Sequence, residues 1–322
     1  MTTETLIKEA PVFDNRVAFA EELVALARED ERVVAVCNDS VGSSNLGAFK
    51  AEFPDRLINV GIAEQDMVGV GAGLASSGLV PFVCGAAPFL TGRSLEQVKA
   101  DVAYSQHPVI LCGMSPGFAY GELGPTHHSV EDFSWLRALP GLDLVVPADP
   151  LQTRQAVRNA VAEPRPTFMR VGRHKVPAVS REDSTLERGR FQQLRAGADV
   201  TLIGTGTLVS RALAAAELLD LAGITSRVLN AVYLSPLDMD AIADAARGTR
   251  AIVTAEEANL AGGLGAAVAM VVGGLERDAR VPLKHLGLTE FAPVGDADRL
   301  LEHFGLTPQS IADAAKAALR DA

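Results

Sequence analysis

The sequence predicts an α/β protein of two domains, each a mostly parallel sheet with helices on both faces. Short apolar runs rich in β-branched residues alternate with segments of helical period along the 322 residues, the pattern of strands covered on both sides by helices. The strand-like runs "VVAVC", "PFVCG" and "VILCGM" lack polar alternation, so neither of their faces is meant for water. The alternation stops at "HKVPAVSREDSTLERGRFQQLRAGAD", residues 174–199, which is charged and aperiodic, and then restarts. The chain therefore divides into a first domain at 12–178, a linker at 179–198 leading into a strand, and a second domain at 199–322.

In the first domain the strand-like runs are "RVVAVCN", "RLINVGI", "LVPFVCG", "PVILCGM", "LDLVVPA" and "PTFMRV". Between them lie the helical patterns "RVAFAEELVALARE", "EQDMVGVGAGLASS", "SLEQVKADVAYS", "VEDFSWLRAL" and "LQTRQAVRNAVAE". The second domain repeats the alternation from "VTLIGTG" and "SRALAAAELLDLAG" through "AIVTAEE", "GGLGAAVAMVVGGL" and "VPLKHLGL" to a last helix, "PQSIADAAKAALRDA".

A formal net charge of −11 provides no overall basic field for phosphate backbones, which argues against nucleic acid as a partner. Cys37, Cys84 and Cys112 each sit in or beside an apolar run without metal-ligand spacing, as buried thiols do, and an odd count makes no disulfide framework. The first residues, "MTTETLIKEAP", show no basic region followed by an apolar core, so a cytoplasmic location is expected. Residues 67–92 carry no charge over a length that raises a membrane span, but Gly78, Pro81, Gly85 and Pro88 read as helix, turn and strand instead.

Four features are candidates for chemistry. Gly204-Thr205-Gly206 looks like a dinucleotide turn, yet Val209 stands at the third glycine position and Asn230 where a ribose-binding acid belongs, so a nicotinamide site is not expected. The loop "SPGFAYGELGPTHHSVEDFSW" follows a strand and carries adjacent histidines, His127 and His128, which project apart and make a poor metal pair. Arg170 and Arg173 are spaced to leave one strand end together, where a guanidinium fork suits phosphate oxygens. Glu64 and Asp66 head the uncharged run in "INVGIAEQDMVGVGAGLASSG", where a purely structural segment needs no acid beyond a helix-terminal one.

The run "RLINVGIAEQDMVGVGAGLASSGLVPFV" resembles the pyrimidine-binding domain of thiamine diphosphate enzymes of the transketolase group. Further segments follow in the same order: "NRVAFAEELVAL", "NDSVGSSNLGAFKAEFPDR", "APFLTGRSLEQVKADV", "GELGPTHHSVEDFSWLRALPGLDLVVPADP" and "PTFMRVGR", then "VTLIGTGTLVSRAL" and "TAEEANLAGGLGAAVA" of the C-terminal domain. The group's diphosphate- and magnesium-binding GDG motif does not occur in the sequence. The resemblance thus implies the C-terminal half of a split transketolase. Such a subunit works with a separate diphosphate-binding chain, as two copies plus two, with Mg2+ held by the partner.

By the same resemblance Glu64 hydrogen-bonds a ring nitrogen of the cofactor's aminopyrimidine, and its apolar surroundings are expected to raise its pKa. Asp66 serves the helix terminus. Phe89 stacks on the pyrimidine, with Phe82 the lesser candidate, and Ile62 and Arg93 lie in the cofactor site. Arg16, Ser44 and Arg173 take a sugar phosphate, and His127 meets the donor hydroxyl. Gly69, Gly71 and Gly73 are read as helix-packing residues. Two positions depart from the pattern: Leu123 replaces an aspartate that contacts the acceptor, and Ser115 stands near the usual histidine of the preceding loop.

The implied reaction is transfer of a two-carbon ketol unit from a ketose phosphate to an aldehyde or other acceptor. A 2-oxoacid dehydrogenase beta subunit shares the architecture and, with a thiamine diphosphate enzyme that passes a ketol or acyl group to a carrier, is the alternative among enzymes. A non-catalytic partner or regulatory subunit is the alternative outside them, disfavoured by the presence of both Glu64 and Phe89.

Overall fold

The computed structural model describes residues 11–322. The first domain runs β1 (Val12–Phe13), α1 (Asn15–Glu29), β2 (Val33–Cys37), α2 (Gly47–Glu52), β3 (Leu57–Asn59), α3 (Glu64–Ser76), β4 (Val80–Ala86), α4 (Ala87–Gly92), α5 (Leu95–Gln97), β5 (Ile110–Met114), α6 (Asp132–Arg137), β6 (Asp143–Val145), α7 (Pro150–Ala162) and β7 (Thr167–Val171). The charged stretch carries β8 (Val176–Pro177) and β9 (Gln192–Arg195). The second domain runs β10 (Val200–Gly204), α8 (Leu208–Asp220), β11 (Ser226–Asn230), β12 (Tyr233–Ser235), α9 (Met239–Gly248), β13 (Ala251–Asn259), α10 (Leu264–Gly274), β14 (Leu283–Leu288), α11 (Ala297–His303) and α12 (Pro308–Arg320).

Two sheets result, of seven strands in the order β12-β6-β7-β5-β4-β2-β3 and of five in the order β14-β13-β10-β11-β9. Both are parallel except at one edge each, where β12 runs against β6 and β9 against β11. β1 and β8 form a separate antiparallel pair. β2, β5, β6, β7 and β10 are buried along their whole length, as strands between two helical layers must be. Their residues give the core its energy: full burial of a side chain such as Phe168 contributes roughly 1.5–3 kcal/mol. That ring lies over Gly113 of the adjacent strand, where any Cβ would stand 2.6 Å from Phe168 Cζ, so a side chain at Gly113 would unseat it.

Residues 67–92 are divided among α3, β4 and α4, and no helix among the described residues is long and apolar enough to cross a membrane. Cys37, Cys84 and Cys112 are free, buried and opposite one another on β2, β4 and β5. Burial raises the pKa of the Cys37 and Cys84 thiols, which keeps them protonated and inert.

The two domains interlock. β12 belongs by sequence to the second domain but completes the edge of the first sheet, and one apolar cluster runs from Val36, Met67 and Phe133 to Leu229, Ile252 and Leu264. Helix-capping aspartates fix both ends of the linker. Asp149 caps α7 through the Gln152 N–H at 3.0 Å and accepts from the N–H groups of Val179 and Ser180. Asp238 caps α9 through Ala241 at 3.0 Å and accepts from the Phe191 N–H at 2.8 Å. Glu256 accepts the first N–H groups of α10, from Leu264 and Gly265, and burial still pushes its carboxyl up to about 7.

Because β2, β3, β4, β5 and β7 are parallel, their C-terminal ends share one edge of the first sheet. The loops leaving that edge form a crevice, the usual ligand-binding place of such sheets.

Candidate active site

Five loops at this edge bring chemistry together. Glu64 opens α3 and is 4 % exposed. Its Oε1 accepts from Asn38 Nδ2 at 2.8 Å and from Arg93 Nη1 at 2.9 Å, and no described side chain donates to Oε2. Arg93 follows α4, and its guanidinium lies 4.0 Å from the centre of the Phe89 ring. His127 stands edge-on to the same ring, 5.1 Å between centroids, and 6.3 Å from Tyr120. Arg173, beyond β7, lies over Tyr120 at 5.2 Å. An open cavity of about 730 Å³ is lined by Ile62, Glu64, Asp66, Gly69, Arg93 and Gln97.

The expected rise in the Glu64 pKa is not what the structure shows. Burial does push it up, but the residue's own backbone N–H, Arg93 and Asn38 together outweigh burial, and the pKa is lowered. Each of these three donors favours the ionised form. The apolar sequence around Glu64 says nothing of them.

Asp66 sits in the first turn of α3 and is exposed; the N-cap is Ala63 and no side chain caps the helix, so Asp66 acts through charge rather than a capping hydrogen bond. Of the three glycines only Gly71 is packed, with Val83 where a Cβ would fall, while Gly69 and Gly73 face open space, against the packing role expected for all three. Phe82 is a core residue beside Phe19, out of the crevice.

The residues that the resemblance assigns to the substrate lie on the same edge. Arg16, at the start of α1, pairs with Asp14 at 2.6 Å and donates to the Ser43 carbonyl at 3.0 Å. Ser44 is buried, its Oγ 3.2 Å from Ser40 Oγ. The adjacent histidines diverge: His127 joins the aromatic cluster, while His128 is buried with Nε2 at 3.2 Å from the Gly121 carbonyl. Leu123 is 56 % exposed on the turn before them, and Ser115 is buried at φ 56° with no partner for its hydroxyl.

Arg170 does not leave the strand end with Arg173. It is buried in β7, paired with Asp132 at 2.7 Å, stacked over Phe133 at 3.8 Å and donating to the carbonyls of Ser129 and Glu257. It braces the histidine loop against the second domain, because Glu257 in turn accepts from the Phe118 N–H and Thr207. At the Gly204–Gly206 turn a Cβ on Gly204 would lie about 3 Å from the backbone of Leu208 and Val209, so the strand-to-helix turn itself requires glycine, and Asn230 is buried against Gln152.

Asn38 and Tyr120 escaped the sequence reading. For Asn38 the signal was its place, a polar residue at the end of an apolar strand; Tyr120 lies in the histidine loop with nothing to mark it. No cluster of three or more His, Cys, Asp or Glu side chains among the described residues is arranged to hold a metal.

The crevice residues fit an aminopyrimidine. The Arg93 guanidinium is itself a planar, nitrogen-bearing group, and it reaches the Phe89 ring and the Glu64 carboxylate at once. A planar heterocycle in that space would meet the Phe89 face and the Glu64 carboxyl, whose free oxygen could share a proton with a ring nitrogen.

Known proteins share both the sequence and the fold. Residues 12–178 match the family model of the transketolase pyrimidine-binding domain and residues 189–311 that of the transketolase C-terminal domain. The chain is 43% identical over 298 residues to one of the subunits of an apulose-4-phosphate transketolase from Phocaeicola vulgatus, covering 92% of this chain and 94% of the relative. It is 38% identical to a 6-deoxy-6-sulfo-D-fructose transketolase subunit of a Clostridium species, covering 93% and 92%. A solved structure described as a split-gene transketolase, an inactive beta4 tetramer, superposes with a TM-score of 0.86 at 35% identity, covering 95% of this chain and 98% of that one.

Proposed function

The chain belongs to the transketolase family, as a subunit of the split, thiamine diphosphate-dependent type, and on that premise we propose that Glu64, Phe89, Ile62 and Arg93 are its share of the cofactor site. The observation that carries this is Arg93 bridging Glu64 and Phe89, since one planar group then satisfies both. When bound, thiamine diphosphate supplies the nucleophilic carbon that cleaves the ketose. This chain's residues do the rest from one side. Phe89 offers a ring face, Glu64 Oε2 holds or gives up a proton at a ring nitrogen, and Ile62 walls the cavity. The diphosphate and Mg2+ are held by the partner chain.

His127 takes the donor hydroxyl, a reading supported by its position edge-on to Phe89. Arg16, Ser44 and Arg173 line the same edge as the phosphate-binding side. The substrate is a ketose phosphate that gives a two-carbon ketol unit to an aldehyde or related acceptor, in the cytoplasm. The assembly is two copies of this chain with two diphosphate-binding chains, and the open faces of Gly69 and Gly73 on α3 are where a neighbouring subunit approaches closely. Alone, the chain is inactive.

The test uses the chain reconstituted with its diphosphate-binding partner and assayed with xylulose 5-phosphate and, separately, pyruvate. Ketol transfer from the sugar is expected, and Glu64→Gln lowers it on the order of 10²–10⁴-fold, the worth of a positioned proton-transfer group. Turnover of pyruvate alone, or full activity of Glu64→Gln, refutes the assignment.

A further inference from the structure

We propose that Asn38 is a positioning residue that fixes which oxygen of Glu64 faces the cofactor; this rests on the reading of Glu64 given above. Glu64 Oε1 has two donors of different character. Arg93 is long, half-exposed and stacked on Phe89 in the space a planar ligand takes. Asn38 is 8 % exposed, has two side-chain torsions and stands directly after β2. When Arg93 gives way, Asn38 is the partner that stays.

Its orientation is set by its own neighbours. Asn38 Oδ1 accepts from Ser40 Oγ at 2.6 Å, and Ser40 Oγ lies 3.2 Å from Ser44 Oγ. An ionised Glu64 admits only the NH2 end of the amide, so the donors run in one direction: Ser44 to Ser40, Ser40 to Asn38, Asn38 to Glu64. The loop that carries them is held in an unusual shape. Asp39 has φ 65°, and Asn59, opposite Cys37 in β3, accepts from the Asp39 and Gly61 N–H groups at 2.9 and 3.0 Å while donating to the Asp39 carboxylate at 3.1 Å. Gly85 leaves the room: a Cβ there would meet Met67 Cε at 3.1 Å and Asn38 Oδ1 at 3.5 Å.

With Oε1 occupied from inside the protein, Oε2 is the oxygen left to share a proton with the ring nitrogen. The far end of the relay is Ser44, one of the residues assigned to the sugar phosphate. The same chain of hydroxyls therefore connects the substrate loop to the proton-holding carboxylate.

The experiment compares Asn38→Ala, Asn38→Asp, Ser40→Ala and Glu64→Gln in the reconstituted complex. It reads the pH profile of kcat, the KM for xylulose 5-phosphate, and thiamine diphosphate affinity by calorimetric titration. Losing the Asn38 donor raises the Glu64 pKa, so the acid limb of the profile moves up by about one pH unit, a tenfold change in ionisation, and cofactor affinity falls on the order of tenfold, with KM changed less. Asn38→Asp keeps the shape but turns an acceptor toward Glu64, so it falls below Asn38→Ala in both kcat and affinity; Ser40→Ala, which only frees the amide, lies between wild type and Asn38→Ala. A merely structural Asn38 gives the opposite order, with the isosteric Asp variant the milder. That order, or an unmoved acid limb and unchanged cofactor affinity in Asn38→Ala and Ser40→Ala, overturns the proposal. An inactive Glu64→Gln beside an unmoved Asn38 profile removes this inference alone, whereas a fully active Glu64→Gln removes the reading beneath it as well.

Discussion

Replacing Arg93 by Met tests whether the crevice is held by charge or by packing. Met keeps the contact with the Phe89 ring through its thioether but deletes the 2.9 Å bond to Glu64 Oε1. A hydrogen bond to a charged group is worth roughly 1.5–3 kcal/mol. Arg93 is 50 % exposed, so solvent screening reduces this to about 1 kcal/mol, or somewhat less than one pH unit. The sign follows from the lowered pKa of Glu64. A carboxyl whose folded pKa lies below its unfolded value adds stability above the unfolded value, about 4.3, and loses it as pH falls through the folded one. Arg93→Met therefore melts about 2 °C below wild type at pH 7, and the gap closes in acid. Thermal melts of this chain, with Arg93→Met, Glu64→Gln and the double variant at several pH values, give the coupling energy directly. A coupling near zero at pH 7, or the same cost for Arg93→Met with and without the Glu64 carboxylate, shows that the bond contributes nothing and refutes the reasoning.

Arg170→Met leaves the fully buried Asp132 carboxyl without its partner, which costs about 3–5 kcal/mol; melting temperature is the readout, and replacing Asp132 as well by Leu recovers part of the loss. Because Arg170 also holds the Ser129 carbonyl, the single variant loosens the His127 loop, seen as a raised KM for the ketose phosphate at temperatures where the protein is still folded. Leu123→Asp is expected to leave stability within about 0.5 kcal/mol, since the residue is exposed. It raises kcat/KM for a 2-hydroxyaldehyde acceptor by roughly 10-fold or more by restoring an acceptor for the hydroxyl; no change in acceptor preference removes Leu123 from the specificity residues.

The fold was legible because buried parallel strands leave an unambiguous trace: runs such as "VVAVC" and "VILCGM" have nowhere to lie except between helices. The strand switch was not. "VLNAVYL" reads as one apolar run, yet Ser226–Asn230 joins the second sheet and Tyr233–Ser235 the first, because local periodicity carries no information on which neighbour a strand chooses. Arg170 was misplaced for a related reason. Its spacing from Arg173 says that both are near a strand end, but burial depends on Asp132, 38 residues away. Glu64 was conspicuous as an acid at the head of an uncharged run, and its protonation was still read with the wrong sign. Burial can be inferred from neighbours in sequence, whereas of the donors that reverse its effect, the residue's own backbone N–H, Arg93 and Asn38, the two side chains lie 29 and 26 residues off. A carboxylate in an apolar run is thus a sound marker of a site and a poor guide to its pKa. Part of the balance is set by side chains at the ends of other strands, and in a parallel sheet those ends converge on the crevice where the acid stands.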